Sequence, residues 1–285
     1  SHPLWRAQVL LEADEQLANG RRIPACRDSV VVPDFNANHG NWNSGEFQFE
    51  TKMLKGIFPV IPTLFTDDNI VDPAALRSVV RFAVDAGAHG VVFPGVASEY
   101  NFLSIEERGE LMSVVFNEVA GRVPIIGGAS AATSEEAIDA GQHAKDHGIN
   151  HLMIMAPSGL GQDVNAHREF FARITSKLTD VEVILQNAPS PIGAGLNANA
   201  ITSLVEAIPA ITYTKEETLP SGPVITELLA QEIPQLKGVL GGGGARYIID
   251  ELNRGALGAL PAVELTDLHV AIYEAHAAGD FERAR

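Results

Sequence analysis

Lys215 is the residue whose type and position best fit a chemical role. It closes an apolar run at residues 210–215, and burial at the end of a strand favours the neutral form of an amine. A neutral amine attacks a ketone to form an imine, which withdraws electrons so that the neighbouring carbon loses a proton or releases an aldehyde. The plainer alternative is a surface lysine in an ordinary strand-to-helix loop, and position alone leaves both open.

The segments that would position Lys215 follow a regular alternation. After Met53, short apolar runs rich in β-branched residues alternate with longer helical stretches, which indicates a parallel sheet covered by helices. The runs lie at residues 56–62, 90–94, 123–129, 151–156, 182–186, 210–215, 236–241 and 258–261. Eight strand–helix units close a barrel, so the predicted fold class is α/β, a (β/α)8 TIM barrel over residues 53–285.

Helix start signals agree with this assignment. Asp72 precedes a proline, Ser104 stands three positions before Glu107, and Thr133 three positions before Glu136, as in helix N-caps and capping boxes. The competing architecture is a doubly wound open sheet. It is disfavoured because no Gly-x-Gly-x-x-Gly follows the first run and no phosphate-binding Gly-Lys-Ser/Thr loop is present.

Residues 1–52 differ from the rest of the chain. A helical pattern near residues 4–17 is followed by a turn-rich stretch at residues 36–45. We treat this part as an N-terminal extension of unknown role. One option is an arm that packs on another subunit.

The amino-acid composition limits the kinds of partner that the protein is expected to bind. With 36 Asp and Glu against 20 Lys and Arg, the formal net charge is −16, which repels phosphate backbones and anionic lipid, so neither nucleic acid nor a membrane is expected as a partner. No apolar run reaches the roughly 20 residues that span a bilayer. Cys26 is the single cysteine, which excludes an internal disulfide and agrees with a cytoplasmic location.

In a barrel of this kind the active site lies at the carboxyl ends of the strands. The polar or glycine-rich residues at those ends are Ser98 and Glu99 after the second run, Gln186 and Asn187 at the fifth, residues 215–218 at the sixth, and residues 241–244 after the seventh. An anionic substrate would have to be attracted by local donors here, because the overall charge opposes it.

Several motifs resemble the N-acetylneuraminate lyase and dihydrodipicolinate synthase superfamily of class I aldolases. They are Gly-Ile-Phe-Pro-Val-Ile-Pro-Thr at 56–63, Gly-Val-Ala-Ser-Glu at 95–99, Leu-Ser-Ile-Glu-Glu-Arg at 103–108, Tyr-Thr-Lys-Glu at 213–216 and Gly-Ala-Leu-Gly-Ala at 255–259. The resemblance implies that Lys215 forms a Schiff base with pyruvate or another 2-oxo acid, with no further cofactor. It also implies that loop 95–99 holds the substrate carboxylate, and that the protein is a homodimer or homotetramer.

Three departures from the family pattern narrow the expected activity. Gln186 stands where the family has a tyrosine that relays protons, Val96 and Ala97 replace the threonine pair of the synthase branch, and residues 157–161 lack the expected tyrosine. These changes argue against dihydrodipicolinate synthase activity. Leu-Gln-Asn-Ala-Pro at 185–189 with Lys-Glu-Glu-Thr at 215–218 is similar to the 2-keto-3-deoxy-L-arabonate dehydratase branch.

The expected roles follow from the resemblance and from position. Lys215 is the imine-forming residue, and a water held by Gln186, or Glu217 if it points inward, transfers protons. The substrate-binding candidates are Ser98, Ala97, Asn187, Thr218 and Gly242. Glu99 is expected to brace its loop. No metal site is expected, because His143 and His147 fall on a helix in the middle of a unit.

The predicted function is a Schiff-base-forming lyase, a 2-keto-3-deoxy sugar-acid dehydratase or aldolase. The alternative is a non-catalytic barrel that binds an organic acid or serves as an assembly subunit. That alternative is motivated by the replaced tyrosines, by a glycine run at 241–244 where relatives often carry acidic residues, and by an apparently shortened C-terminal helical region.

Overall fold

The computed structural model describes residues 53–285. Its eight strands are β1 (Gly56–Ile57), β2 (Val91–Phe93), β3 (Ile125–Gly128), β4 (His151–Ile154), β5 (Glu182–Asn187), β6 (Ile211–Glu216), β7 (Gly238–Gly241) and β8 (Gly258–Ala259). They form one parallel sheet in the order β1-β8-β7-β6-β5-β4-β3-β2. Each of the eight predicted runs overlaps one of these strands, and β5 and β6 extend one residue beyond their runs.

The sheet curls until its two edge strands meet. Just beyond β1, Val60 pairs in parallel with Val92 of β2. The Ile61 N–H donates to the Val92 carbonyl at 2.9 Å, and the Val92 N–H donates to the Pro59 carbonyl at 2.9 Å. These bonds satisfy the edges that an open sheet would expose, and the predicted TIM-barrel-like fold is confirmed.

A helix follows each strand. The helices are α1 (Pro73–Asp85), α2 (Ile105–Val119), α3 (Ser134–Asp146), α4 (Val164–Lys177), α5 (Ala198–Ala207), α6 (Gly222–Ala230), α7 (Ile248–Asn253) and α8 (Thr266–Ala277). The predicted starts are confirmed: the Asp72 side chain accepts from two N–H groups of α1, and Ser104 and Thr133 form capping boxes.

The sheet buries side chains on both faces, as its alternation requires. The barrel interior is filled by one apolar cluster of Leu54, Phe58, Val60, Val92, Ile126, Met153, Ile184, Tyr213, Leu240 and Leu260. A larger apolar cluster lies between the outer face of the sheet and the helices. The interior is thus a packed core, and polar groups collect only at its ends.

Some expectations fall on residues outside the described part of the chain. The helical pattern near residues 4–17, the turn-rich stretch 36–45 and Cys26 lie there. Within residues 53–285, no helix is both long and apolar enough to cross a membrane.

Candidate active site

Lys215 lies inside the barrel at the carboxyl end of β6. Side chains two positions apart share a face of a strand, and Tyr213 belongs to the interior cluster, so Lys215 sits one layer above it. The register pairs Lys215 with Gln186 of β5 and with Leu240 of β7. Lys215 is only 3% exposed.

A carboxylate meets the Lys215 amine. Glu217 Oε1 lies 3.0 Å from Lys215 Nζ, because Glu217 follows two positions later and faces the same way. The Gln186 amide donates to Glu217 Oε2 at 2.6 Å, and the Gly243 N–H donates to Oε1 at 3.0 Å. Burial acts to raise the pKa of Glu217, but the Lys215 charge and these donors outweigh it and hold the pKa below its usual range.

Lys215 thus meets a hydrogen-bonded carboxylate as well as apolar side chains. A proton must pass from Lys215 to an acceptor before the amine can attack a ketone. Glu217 is placed to accept it.

The bond to Glu217 fixes the orientation of the Gln186 amide. A carboxylate only accepts, so Nε2 must face Glu217 and Oε1 must face away. Gln186 Oε1 is buried and has no hydrogen-bond partner among the described residues. The structure therefore places Gln186 as a holder of Glu217, with one acceptor still unmatched.

Asn187 and Thr218 are not brought to Lys215. They bond to Glu216, which points to the opposite face of β6 and is fully buried. Asn187 Nδ2 donates to Glu216 Oε2 at 2.8 Å, and its amide also bonds both the N–H and the carbonyl of Leu196. Thr218 donates to Glu216 Oε1 from its N–H at 2.7 Å and also from its hydroxyl.

The two residues therefore brace the strand ends, and their expected role as substrate contacts stays a prediction. Burial raises the pKa of Glu216 against the bonds from Asn187 and Thr218. The sequence interpretation missed Glu216. Its only signal was its place between Lys215 and Glu217, which by alternation sends it to the outer face.

In the loop after β2, Ser98 and Glu99 lie in surroundings that differ from those expected. Ser98, expected to contact the substrate, is fully buried: its hydroxyl accepts from the Gly95 N–H at 2.8 Å and donates to the Ile61 carbonyl. The Thr63 hydroxyl bonds the Ser98 carbonyl at 2.7 Å. Ser98 thus braces the loop from within.

Glu99, expected to brace the loop, is exposed and has a left-handed backbone, with φ of 57°. Ala97 is exposed in the 3-10 turn Val96–Ser98. The first N–H groups of such a turn have no acceptor within it. Backbone donors of Val96 and Ala97, rather than the Ser98 hydroxyl, are therefore what this loop offers to an anion.

The glycine loop after β7 makes room for two carboxylates. A Cβ on Gly242 would lie 2.3 Å from Glu217 Cγ, and a Cβ on Gly241 would lie 1.9 Å from Glu251 Oε2. The predicted substrate contact Gly242 thus packs directly on Glu217.

Glu251 of α7 is buried behind this loop, and the Ser221 hydroxyl donates to its Oε1. Nothing in the local sequence marks Glu251, because it stands on an ordinary helix 36 positions after Lys215. Through its bond to Ser221 and its contact with Gly241, Glu251 links the segment that follows Glu217 to the loop after β7.

Among residues 53–285, no group of three or more His, Cys, Asp or Glu side chains is arranged to hold a metal ion. His143 and His147 are half-buried, and the His147 ring bonds the Ser113 hydroxyl at 2.9 Å and the His143 carbonyl at 2.8 Å. These histidines therefore join α3 to α2.

The chain is similar to known proteins over this whole barrel. The model of the dihydrodipicolinate synthetase family matches residues 53–285. A 4-hydroxy-tetrahydrodipicolinate synthase of Methanopyrus kandleri is 30% identical over 241 residues, which cover 81% of this chain and 77% of that protein. An L-2-keto-3-deoxyarabonate dehydratase of Azospirillum brasilense is 30% identical over 213 residues, covering 74% and 68%.

The fold is shared with solved structures. A dihydrodipicolinate synthase from Rhodopseudomonas palustris superposes with a TM-score of 0.74 at 24% identity, covering 81% of this chain and 78% of the other. The match to the family model spans every strand and helix described above. The chain therefore belongs to the dihydrodipicolinate synthetase family, a family of lyases.

Proposed function

We propose that this protein is a Schiff-base-forming lyase of small 2-oxo acids, and specifically a 2-keto-3-deoxy sugar-acid dehydratase. One observation carries the proposal: the Glu217 carboxylate lies 3.0 Å from Lys215 Nζ and is held there by Gln186. A nucleophilic amine and a proton acceptor thus share one buried end of the barrel, which is the arrangement that covalent catalysis through an imine requires.

The first step is imine formation. Glu217 takes a proton from the Lys215 ammonium, the amine attacks the C2 ketone, and Glu217 returns the proton to the C2 oxygen, which leaves as water. The protonated imine keeps a positive charge beside Glu217, so the ion pair survives the covalent step. No added cofactor is needed, because the imine is itself the electron sink.

The second step is elimination. Glu217 removes a proton from C3, whose electrons move toward the imine nitrogen to give an enamine. The electrons then return to expel the C4 hydroxyl, which takes the proton that Glu217 had accepted and leaves as water. Hydrolysis of the remaining imine frees Lys215, and the net reaction is the loss of one water across C3 and C4.

The choice of dehydration over aldol chemistry rests on Gln186. Aldol cleavage needs a base at the C4 hydroxyl, and Gln186, which replaces the family's tyrosine, does not titrate. Glu217 is an acid and base on the C3 side of the imine. The relatives' names divide between 4-hydroxy-tetrahydrodipicolinate synthase and L-2-keto-3-deoxyarabonate dehydratase, and the pairing of Gln186 with Glu217 favours the second chemistry for this chain.

The test is covalent trapping. Incubation with pyruvate and borohydride is expected to add mass at Lys215, and Lys215→Ala is expected to abolish both the adduct and any turnover because no electron sink remains. A panel of 2-keto-3-deoxy acids, read for pyruvate release and for dehydration, then identifies the reaction. A parent protein that gives no adduct would instead support a non-catalytic barrel that binds an organic acid.

A further inference from the structure

Glu251 is a buried carboxyl group that the proposed mechanism does not use. It lies on α7 and is 2% exposed. Its Oε2 atom lies against the backbone of Gly241 at the end of β7, since a Cβ on that glycine would lie 1.9 Å from Oε2. Its Oε1 atom accepts a hydrogen bond from the hydroxyl of Ser221, which directly precedes α6. One side chain of α7 thus contacts both the end of β7 and the start of α6.

The Ser221 hydroxyl bonds Glu251 rather than its own helix. Ser221 occupies the N-cap position of α6, where a serine hydroxyl ordinarily accepts from an N–H group of the first turn. Its side chain makes no such bond to α6, and the hydroxyl donates to Glu251 Oε1 at 2.5 Å. The hydroxyl therefore serves a contact between two distant elements.

The charged groups around Glu251 favour its neutral form. The charges that act on it are all negative and belong to Asp250, Glu216 and Glu217. The nearby cations are bonded to two of these carboxylates, Lys215 to Glu217 and Arg254 to Asp250. Burial and the negative charges therefore raise the pKa of Glu251 to about 7, against the bond from Ser221.

Oε2 is the oxygen that carries the proton of neutral Glu251, because Oε1 accepts from Ser221. Oε2 is buried and accepts no hydrogen bond from any described residue. The α6 contact is the uncharged Ser221, and the charged residue of the loop after β7, Arg246, is exposed. A neutral oxygen packs against the Gly241 backbone at modest cost, whereas a buried charged oxygen without a donor destabilises its surroundings.

The loop that Glu251 contacts is the loop that seats Glu217. Gly242 follows Gly241 directly and packs on Glu217, and the Gly243 N–H donates to Glu217 Oε1 at 3.0 Å. A displacement of Gly241 is therefore passed along the backbone to both contacts of Glu217 within two residues.

We propose that Glu251, in its protonated form, is a positioning residue that holds the loop after β7 in place and thereby holds Glu217 at Lys215. Loss of the proton leaves a buried negative oxygen against Gly241, and the loop then moves away to let water reach that oxygen. Gly243 releases Glu217 in the same movement. The effect on proton transfer by Glu217 rests on the proposed function, whereas the hold on the loop does not.

Amide hydrogen exchange of the full chain tests the hold on the loop without any substrate. Protection factors remove the intrinsic pH dependence of amide exchange, and the Gly243 amide is the one to follow. Glu251 has a pKa of about 7 with the loop closed and an ordinary carboxyl pKa with the loop open, so protection at Gly243 should fall about tenfold between pH 6 and pH 8.

The Gly161 amide is the internal control for this measurement. It bonds the Ser158 carbonyl in another turn at the same end of the barrel, and its protection should be the same at both pH values. Unchanged protection at Gly243, or an equal fall at Gly161, overturns the hold on the loop.

Glu251→Gln identifies the group that titrates. The variant keeps an acceptor for Ser221 but does not ionise, so protection at Gly243 should no longer depend on pH and should exceed that of the parent by about tenfold at pH 8. Glu227→Gln, at an exposed position of α6, is the matched control and should behave as the parent. A fall in protection that persists in Glu251→Gln overturns the inference, because another group then carries it.

Deuterium exchange into pyruvate tests the positioning of Glu217. Once the imine has formed, Glu217 removes a methyl proton of pyruvate and returns a deuteron from D2O, and proton NMR follows the loss of the methyl signal. The rate in Glu251→Gln divided by the parent rate is expected to rise from about one at pH 6 by up to about tenfold at pH 8.

A merely structural role would leave this ratio constant, so a ratio that does not change with pH overturns the positioning role. If the parent gives no borohydride adduct at Lys215, the proposed function fails, and amide exchange alone decides whether Glu251 holds the loop.

Discussion

Glu217 is the acid and base of the proposed mechanism. It is in contact with Lys215 and accepts hydrogen bonds from Gln186 and Gly243, and its side chain remains 15% exposed. Such a carboxylate is fixed in place yet open on one side to a substrate. Gln186 cannot replace a phenol as an acid or base, so the proposed mechanism assigns the proton transfers to Glu217.

Glu217→Gln isolates this proton transfer. The variant keeps the shape of the side chain but removes the base that deprotonates both Lys215 and C3, so we expect borohydride trapping of pyruvate at Lys215 to slow but still to reach completion on long incubation. Deuterium exchange into pyruvate and dehydration of a 2-keto-3-deoxy acid should fall by about 10²- to 10⁴-fold. Exposed Glu227 of α6 provides the control, since Glu227→Gln should exchange at the parent rate. Undiminished exchange in Glu217→Gln would show that another group carries the proton.

The loop after β7 shapes the site because its glycines have no side chains. Gly242 touches Glu217, and Gly243 donates its N–H to the same carboxylate with φ of 56°, a left-handed conformation that favours glycine. The family resemblance implies that relatives often carry acidic side chains in this loop. In this chain the loop instead admits and holds Glu217.

Gly242→Ala tests that function of the loop. The added Cβ would lie 2.3 Å from Glu217 Cγ, so either the carboxylate or the loop must move. We expect turnover to fall by about tenfold or more, because small misplacements near the reacting atoms cost up to about 100-fold. In Gly159→Ala the new Cβ meets nothing within 4 Å, and its activity should match the parent. Equal activity in both variants would mean that Gly242 is not needed to seat Glu217.

Glu251 adds a pH dependence to the same region. Burial, opposed by the Ser221 bond and reinforced by the charges of Asp250, Glu216 and Glu217, raises the pKa of Glu251 to about 7. The unfolded chain loses this proton at a lower pH than the folded protein does. Between those two pKa values the folded state holds the extra proton, so stability falls as pH rises toward 7 and then levels off.

Glu251→Gln removes this dependence. The amide mimics the protonated carboxyl, so the variant should gain stability relative to the parent by about 2–3 kcal/mol on going from pH 5 to pH 8. Urea unfolding at the two pH values measures the difference. Glu227→Gln, at an exposed position, should show no such gain. A pH-independent offset in Glu251→Gln would contradict a raised pKa in the folded state.

At the scale of the whole molecule, the barrel leaves apolar side chains on its outer surface. Leu265 and Leu268, three positions apart at the start of α8, are 47% and 55% exposed, and exposed apolar groups of this size often mark contacts between chains. The family resemblance also implies a homodimer or homotetramer. An assembly would bury such groups while the charge of −16 keeps the particle soluble.

Light scattering tests the assembly. We expect the full chain to have two or four times the mass of one chain. If residues 1–52 reach across subunits, their removal should lower the number of chains in the assembly. The two parts of the prediction are separable. A monomer with and without residues 1–52 would refute both, and an unchanged oligomer after the removal would refute only the role of the segment.

The amino-acid sequence by itself determined the barrel and indicated Lys215 as the candidate nucleophile. The apolar runs and the caps at Asp72, Ser104 and Thr133 depend on neighbours within a few positions, which is why they were readable and why the structure agrees. Lys215 was identified in the same way, from its place at the end of one run. The family motifs added the expected imine.

Only the tertiary structure decided which groups surround Lys215. The contact of Gln186 with Glu217 joins positions 31 residues apart, and that of Ser221 with Glu251 joins positions 30 apart, so no local pattern encodes them. Ser98 rather than Glu99 braces the loop, because the 3-10 turn buries the Ser98 side chain and leaves that of Glu99 exposed. Local periodicity specifies which face of an element a residue occupies, whereas its partners depend on which elements the closed barrel brings together.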